Sequence, residues 1–445
     1  MMQSKEYHKL TTTRPTGMLA FTIIWIGQVI SLLGTAMTGF ALTIWAWEIT
    51  GEATALALVG FFAFAPTLLT SPFAGALVDR WNRKFVMMLS DLAAVLSTVI
   101  VLLLYSTGSL QIWHLYLTGA LSGAFGAFQF PAYSAAVTTM VSKEQYGRTS
   151  GMLSAAQFAS NIFGPALAVI LLTMIGIAGI LIIDIATFLI AISALLFVHV
   201  PQPVVTEEGL KSRGSLWKES VYGFHYISER RGLLGLLVVF FGINLVATFA
   251  FTLLAPMILA RTQNNATVLG IVQSAIGIGG VAGSIVLSIW GGPKRRIHGV
   301  LIGLVLVMLG VLFIGLGRDS YIWALAAFFT MFFIPIVQGS SNAIWQAKVA
   351  PDVQGRVFAT RGVIATVSRP VALLVIGPLA DWYFEPAMMS GGSLAPMLSG
   401  LVGIGPGAGM ALMFIISGCL GMLVGLGGYT FRIMRDVEDI LPDHR

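Results

Sequence analysis

Four charged side chains fall within or at the edge of long apolar runs, and each suggests a different chemistry: Glu48, Asp91, Asp184 and Arg369. A charge surrounded by hydrocarbon is costly and by default marks a functional position with a partner. Asp91 and Asp184 are carboxyls that can take up and release a proton, which makes them candidates for proton carriage. A structural hydrogen bond to neighbouring backbone is the alternative for Asp184. Arg369 stays protonated in practice and cannot carry a proton. It can bind an anionic or electron-rich group, or pair structurally. No acid lies at matching depth on the neighbouring runs, so its expected partners are backbone carbonyls, water and amides such as Gln28, Gln157 or Asn244. Glu48 ends its run and is expected in solvent.

Neutral polar residues form stripes at helical spacing. Gln28, Ser31, Thr35 and Thr38 share one face of the first run. Ser122, Gln129 and Tyr133 do the same on the fourth run, and Ser154, Gln157 and Asn161 on the fifth. Later in the chain come Asn244, Gln273, and the group Gln338, Asn342 and Trp345. Any one of these could be helix–helix glue. Six stripes together point to a central cavity lined by amides and hydroxyls among aromatic and Met neighbours, suited to large amphiphiles.

Other chemistries lack their residues. The single cysteine, Cys419, excludes a disulfide framework and a thiolate metal site, and the six histidines are scattered without metal-ligand spacing. No Gly-x-x-x-x-Gly-Lys-Ser/Thr occurs, so no nucleotide site is expected despite 50 glycines. No nucleophile–base pair appears. The expectation is a non-enzyme with no cofactor, no metal and no nucleic-acid partner.

The elements that must position these residues follow from composition. Of 445 residues, 57% are hydrophobic and 10% charged, against roughly 25% charged in soluble domains. Lipid is therefore the solvent for most of the chain. A spanning helix needs about 20 mostly apolar residues. Twelve are expected near 18–47, 54–78, 85–105, 112–141, 150–173, 177–198, 233–260, 266–290, 298–316, 321–347, 358–380 and 409–431. With residues 1–17 read as a retained inner tail, nearly all of the 25 Lys and Arg fall on one side. The positive-inside rule then puts both termini in the cytoplasm. A multi-pass protein of the bacterial cytoplasmic membrane is expected, most simply a monomer.

The chain divides and repeats. The expected units are a six-helix bundle at 1–200, a cytoplasmic linker at 201–232 and a second six-helix bundle at 233–445. Within the linker, 214–231 carries apolar residues at helical spacing, readable as an amphipathic surface helix or as a plain tether. Val141-x-x-Glu144-x-x-Gly147-Arg148 recurs as Val349-x-x-Asp352-x-x-Gly355-Arg356, 208 residues later, and both lead into a helix with Gly-Pro, at Gly164-Pro165 and Gly377-Pro378. Parallel repeats of this kind place a substrate site near the midplane between the halves.

The segment Gly75-Ala-Leu-Val-Asp79-Arg80-Trp-Asn82-Arg83-Lys84 resembles the major facilitator signature, with Asn82 where the family usually has Gly. Further pieces, among them Phe130-Pro131-Ala132, Gly377-Pro-Leu-Ala-Asp381 and Phe384-Glu385-Pro386, resemble the bacterial branch of macrolide-efflux and enterobactin exporters. The resemblance implies an all-α fold of twelve transmembrane helices in two parallel six-helix repeats. It also implies a secondary transporter, a proton-coupled exporter of amphiphilic small molecules working by alternating access, with protons and membrane lipid as its other partners. A lysophospholipid or lipid flippase of the same fold is the alternative. The signature would act as a latch: Asp79 caps an opposing helix near Thr360-Arg361, where the macrodipole favours an anion. Arg80, Arg83 and Lys84 would pair with Glu144 or Asp91.

Overall fold

The computed structural model describes residues 15–142, 145–201, 224–349 and 354–440. Its long helices are α1 (Gly17–Thr50), α2 (Ala53–Arg80), α3 (Arg83–Ser106), α4 (Ile112–Met140) and α5 (Tyr146–Phe197). After the linker come α6 (Arg231–Arg261), α7 (Ala266–Trp290), α8 (Arg296–Leu316), α9 (Ser320–Lys348), α10 (Gln354–Leu379) and α11 (Ala408–Thr430). Helices dominate because a backbone in lipid must satisfy its own polar groups. Among the described residues ten helices are long and apolar enough to cross a membrane, with the long α5 counted once.

At 52 residues, a straight α5 would run about 78 Å at ~1.5 Å per residue, far beyond the ~30 Å hydrocarbon core. It folds back instead at Gly176, whose φ of 67° and ψ of −174° are open to glycine. The break falls between the two apolar runs 150–173 and 177–198. Of the expected linker helix, 224–229 is helical, and 202–223 lies outside the described residues.

Helices α1–α5 pack mainly on one another, as do α6–α11, and the two sets meet along α2 against α10 and α5 against α7. With little hydrophobic drive between helices in lipid, small residues permit the close approaches. On α7, Gly279 and Gly283 lie against the backbone of Phe328 and Phe332 on α9. Gly34 on α1 does more than allow packing. A Cβ there would collide with Thr187 and the Asp184 carboxylate on the second limb of α5, so the missing side chain makes room for a buried acid.

Gly34→Val is expected to lower thermal stability in detergent by overpacking, by about 1–3 kcal/mol. An unchanged melting temperature would show that α1 and α5 do not meet as described.

Candidate functional site

Between the two halves lies a cavity of about 920 Å³, at the upper end of the ~300–1,000 Å³ typical of ligand pockets. Its walls are mostly apolar, interrupted by hydroxyls, and most of those hydroxyls are already engaged. Thr43 donates to Gly39 O at 2.7 Å, Thr118 to His114 O at 2.8 Å and Ser97 to Ala93 O at 2.9 Å. On the other wall Thr248 donates to Asn244 O at 2.7 Å and Thr366 to Gly362 O at 2.8 Å. A hydroxyl bonded back to the preceding turn offers a guest an acceptor oxygen and, for Thr, a methyl. Such walls are weakly polar and undemanding of geometry.

Of the residues expected to line the cavity, Thr35, Asn244, Gln273 and Arg369 do so, together with Thr38, Ser122 and Asp184. Gln338 and Trp345 line a small adjoining pocket that shares Asn244 and Ala365 with the main one. Gln157 and Asn161 are exposed on α5 but outside the main cavity's wall. Asn342 accepts from Arg361 at 3.0 Å.

Others turn inward, into the packing of the first half. Ser31 and Tyr133 are buried, and the Tyr133 ring stacks on Phe21 at 6.4 Å between centroids. Gln28 and Gln129 hold Asp91: their amide nitrogens donate to its carboxylate at 3.2 and 2.9 Å, and Gln129 also donates to Gln28 Oε1 at 3.3 Å. This corrects two expectations together. Among the described residues Asp91 meets amides and not the basic loop, and the two stripes that carry those amides converge on a carboxylate instead of opening to the cavity. Helical periodicity identifies a shared face but not its neighbour.

Asp184 is also buried with neutral company. Thr98 donates to its Oδ2 at 3.2 Å, the Thr35 and Thr38 hydroxyls stand nearby, and Oδ1, beside Gly34, has no partner within hydrogen-bond geometry among the described residues. Neither aspartate has a cationic partner among the described residues.

Arg369 departs from expectation in its partner. Its guanidinium carbon sits 4.5 Å from the centroid of Phe64 on α2, across the junction of the halves. An aromatic face supplies about 0.5–2 kcal/mol of attraction where amides were expected. Residue typing by hydrogen-bonding capacity overlooks such a ring.

The basic loop is described in part. Gly75, Asp79 and Arg80 lie in the last turns of α2, but their side chains, and all of Glu144, fall outside the described residues. Asn82 accepts from Phe85 N at 3.2 Å and caps α3. Arg83 is buried. Lys84 Nζ donates to Leu196 O at 3.1 Å and Val198 O at 2.8 Å. It thus serves the C-terminal carbonyls of α5, where the helix dipole favours a cation.

The face opposite the basic loops holds a junction that residue types alone do not announce. A π-turn, Ala380–Phe384, follows α10. Asp381 Oδ1 accepts from Ala53 N at 3.0 Å, and Oδ2 accepts from Thr54 N at 2.7 Å and Thr54 Oγ1 at 2.5 Å. A carboxylate from the second half therefore caps the N-terminus of α2 in the first. Gly377 lets the helices close, since a Cβ there would meet the Thr54 backbone. Trp47 Nε1 donates to Asn264 Oδ1 at 2.9 Å near this face, and deeper along the same divide Ser274 Oγ donates to Ile162 O at 3.1 Å. The signal in the sequence is an acid closing one run opposite the start of another.

Comparison with known proteins places this architecture. The model of the Major Facilitator Superfamily matches residues 24–373. Macrolide efflux protein A of Streptococcus pyogenes is 26% identical over 82% of this chain and 90% of its own length. The multidrug efflux pump Tap of Mycolicibacterium fortuitum is 25% identical over 85% of this chain and 95% of its own. Among solved structures, a bacterial homolog of the human lysosomal transporter Spinster, inward-facing and unoccupied, superposes with a TM-score of 0.65 at 14% identity, over 91% of this chain and 96% of that one. The chain belongs to the major facilitator superfamily; it is a multi-pass membrane transporter and not an enzyme.

Asp381→Asn leaves one acceptor oxygen for three donors and turns an amide toward them. It is expected to raise the rate at which a bulky maleimide labels a Thr43→Cys reporter in a Cys419→Ser background. A rate equal to that of the reporter alone would show that Asp381 does not hold this face shut.

Proposed function

With superfamily membership as its premise, we propose that this protein is a proton-coupled exporter of amphiphilic small molecules, macrolide-like or other drug-like compounds, working by alternating access. The observation that carries the reading is the cavity of about 920 Å³ between two helical halves, with weakly polar walls and the Asp381 bonds joining the halves at one end. Relatives named for macrolide and multidrug efflux support the choice of cargo.

In this reading the chain crosses the bilayer twelve times, in bundles 1–200 and 233–445, with both termini and the basic loops in the cytoplasm. The limb break at Gly176 supports the count. The Asp381 junction is then the outer seal. The latch centred on Asp79 serves as its counterpart on the inner side and forms when the outer seal opens. The two involve antiparallel partners: Asp381 follows α10 and caps the start of α2, while the latch would join Asp79, in the last turn of α2, to the start of α10. Closing one junction rocks the helices away from the other.

Asp91 and Asp184 are the proton carriers in this scheme. Among the described residues each is buried with neutral donors, and none of these donors is a fixed cation that would hold it in its charged form. Asp184 borders the cavity and can sense its occupant. Arg369, on the opposite wall, orients the cargo through an anionic or electron-rich group and leaves Phe64 when it does so.

The test is transport in proteoliposomes. An imposed proton gradient should drive movement of a macrolide or a lipophilic dye, and substrate should in turn induce proton movement. Asp91→Asn with Asp184→Asn should abolish the proton signal while binding remains. Proton movement that persists in the double variant contradicts the assignment of carriers, and absence of any transport by the unaltered protein contradicts the reading itself.

A further inference from the structure

A side pocket of about 60 Å³ opens off the main cavity, bounded by Leu237, Phe240, Gln338, Trp345 and Arg361, with Asn244 and Ala365 shared between the two spaces. Arg361 belongs to α10, two turns before Arg369, which puts it about 12 Å nearer the basic loops at ~1.5 Å per residue. Its guanidinium is fixed from several directions. Nη1 donates to Asn342 Oδ1 at 3.0 Å, and Nη2 to the buried Ser341 Oγ at 2.9 Å. Its central carbon lies 5.0 Å from the Trp345 ring and 5.8 Å from Phe240.

These contacts orient the group without neutralising it. A guanidinium has five N–H donors, and the two hydrogen bonds use two. No carboxylate pairs with Arg361 among the described residues. The remaining charge and donors stand beside the amides of Asn244 and Gln338, in a space sized for a small planar group. Other arginines contrast with it: Arg261 spends three donors on the carbonyls of Gly407, Gly317 and Val402, and Arg318 reaches the carbonyl of Gly400. A rigid, partly unspent fork suits a carboxylate, which it can grip through two parallel bonds.

We propose that this side pocket is a recognition subsite for the terminal carboxylate of an amphiphilic substrate, gripped by Arg361 while the apolar body occupies the main cavity. The export reading supplies the location of that body; the grip on the carboxylate stands on Arg361 and its neighbours. Lysine cannot replace the fork, because its ammonium is a point charge that cannot rest on Asn342 and Ser341 in one plane.

The test is a binding titration on purified protein in nanodiscs, with two probes of equal length: a dansyl-labelled long-chain carboxylic acid and its primary amide. The unaltered protein should bind the acid at least tenfold more tightly than the amide. Arg361→Gln should erase that preference while leaving amide affinity within about twofold, and Arg361→Lys should restore only part of it. Equal affinities in the unaltered protein, with the amide bound by every variant, overturn the subsite and leave the export reading standing. Equal loss of both probes in Arg361→Gln with full rescue by lysine marks a structural cation and also overturns it. Failure of both probes to bind any form overturns both readings.

Discussion

The carboxylate of Asp381, seated on the first turn of α2, ties the second half of the bundle to the first. Three donors from Ala53 and Thr54 converge on it, and the two backbone amides among them are groups that a helix N-terminus leaves unsatisfied. Charge-assisted bonds of this kind are each worth about 1.5–3 kcal/mol. The free-energy gap between the states of a switching protein is itself a few kcal/mol. Bonds of this size at a junction between halves are therefore comparable to the gap that a switch between two arrangements must bridge. Other acids have narrower duties: beside it Glu385 caps the start of α11 through Gly407 N and Met410 N, and at the basic-loop end Glu438 caps α8 through Arg296 N and Ile297 N, each within the second half. Asp381 crosses the divide.

Behind that junction the charges are segregated. The first half buries two carboxylates among amides and hydroxyls, and the second half presents Arg361 and Arg369 to the cavity region against aromatic rings. Direct ion pairs across the cavity would lock the halves together at a cost that substrate could not readily repay. Neutral and aromatic partners keep each charge tolerable in a low-dielectric setting while leaving it free to exchange partners.

Much of this was legible in the residues. Composition and run lengths define the helices, and the gap between the fifth and sixth runs falls where Gly176 reverses the chain. Asp91, Asp184 and Arg369 stand out as charges in apolar runs, and Thr35, Asn244 and Gln273 do reach the cavity. What the sequence could not convey was pairing. Helical periodicity fixes which residues share a face, but Gln28 and Gln129 meet Asp91 only because α1, α3 and α4 converge. Phe64 became the partner of Arg369 because tertiary packing, and not polarity, set its neighbour. Asp381 was visible merely as one residue of a familiar segment, since nothing local tells an acid which helix end it will face.

Alternating access requires the two halves to move as rigid bodies about one cavity. Spin-label pairs placed on exposed sites of opposite halves, Ser109 with Met397 at the sealed face and Trp81 with Phe431 at the basic face, would report both distances by pulsed electron resonance. Across pH and substrate conditions, the two distances should change in opposite directions within one population shift. Distances that vary independently, or a sealed face that never opens under transport conditions, would contradict such a mechanism.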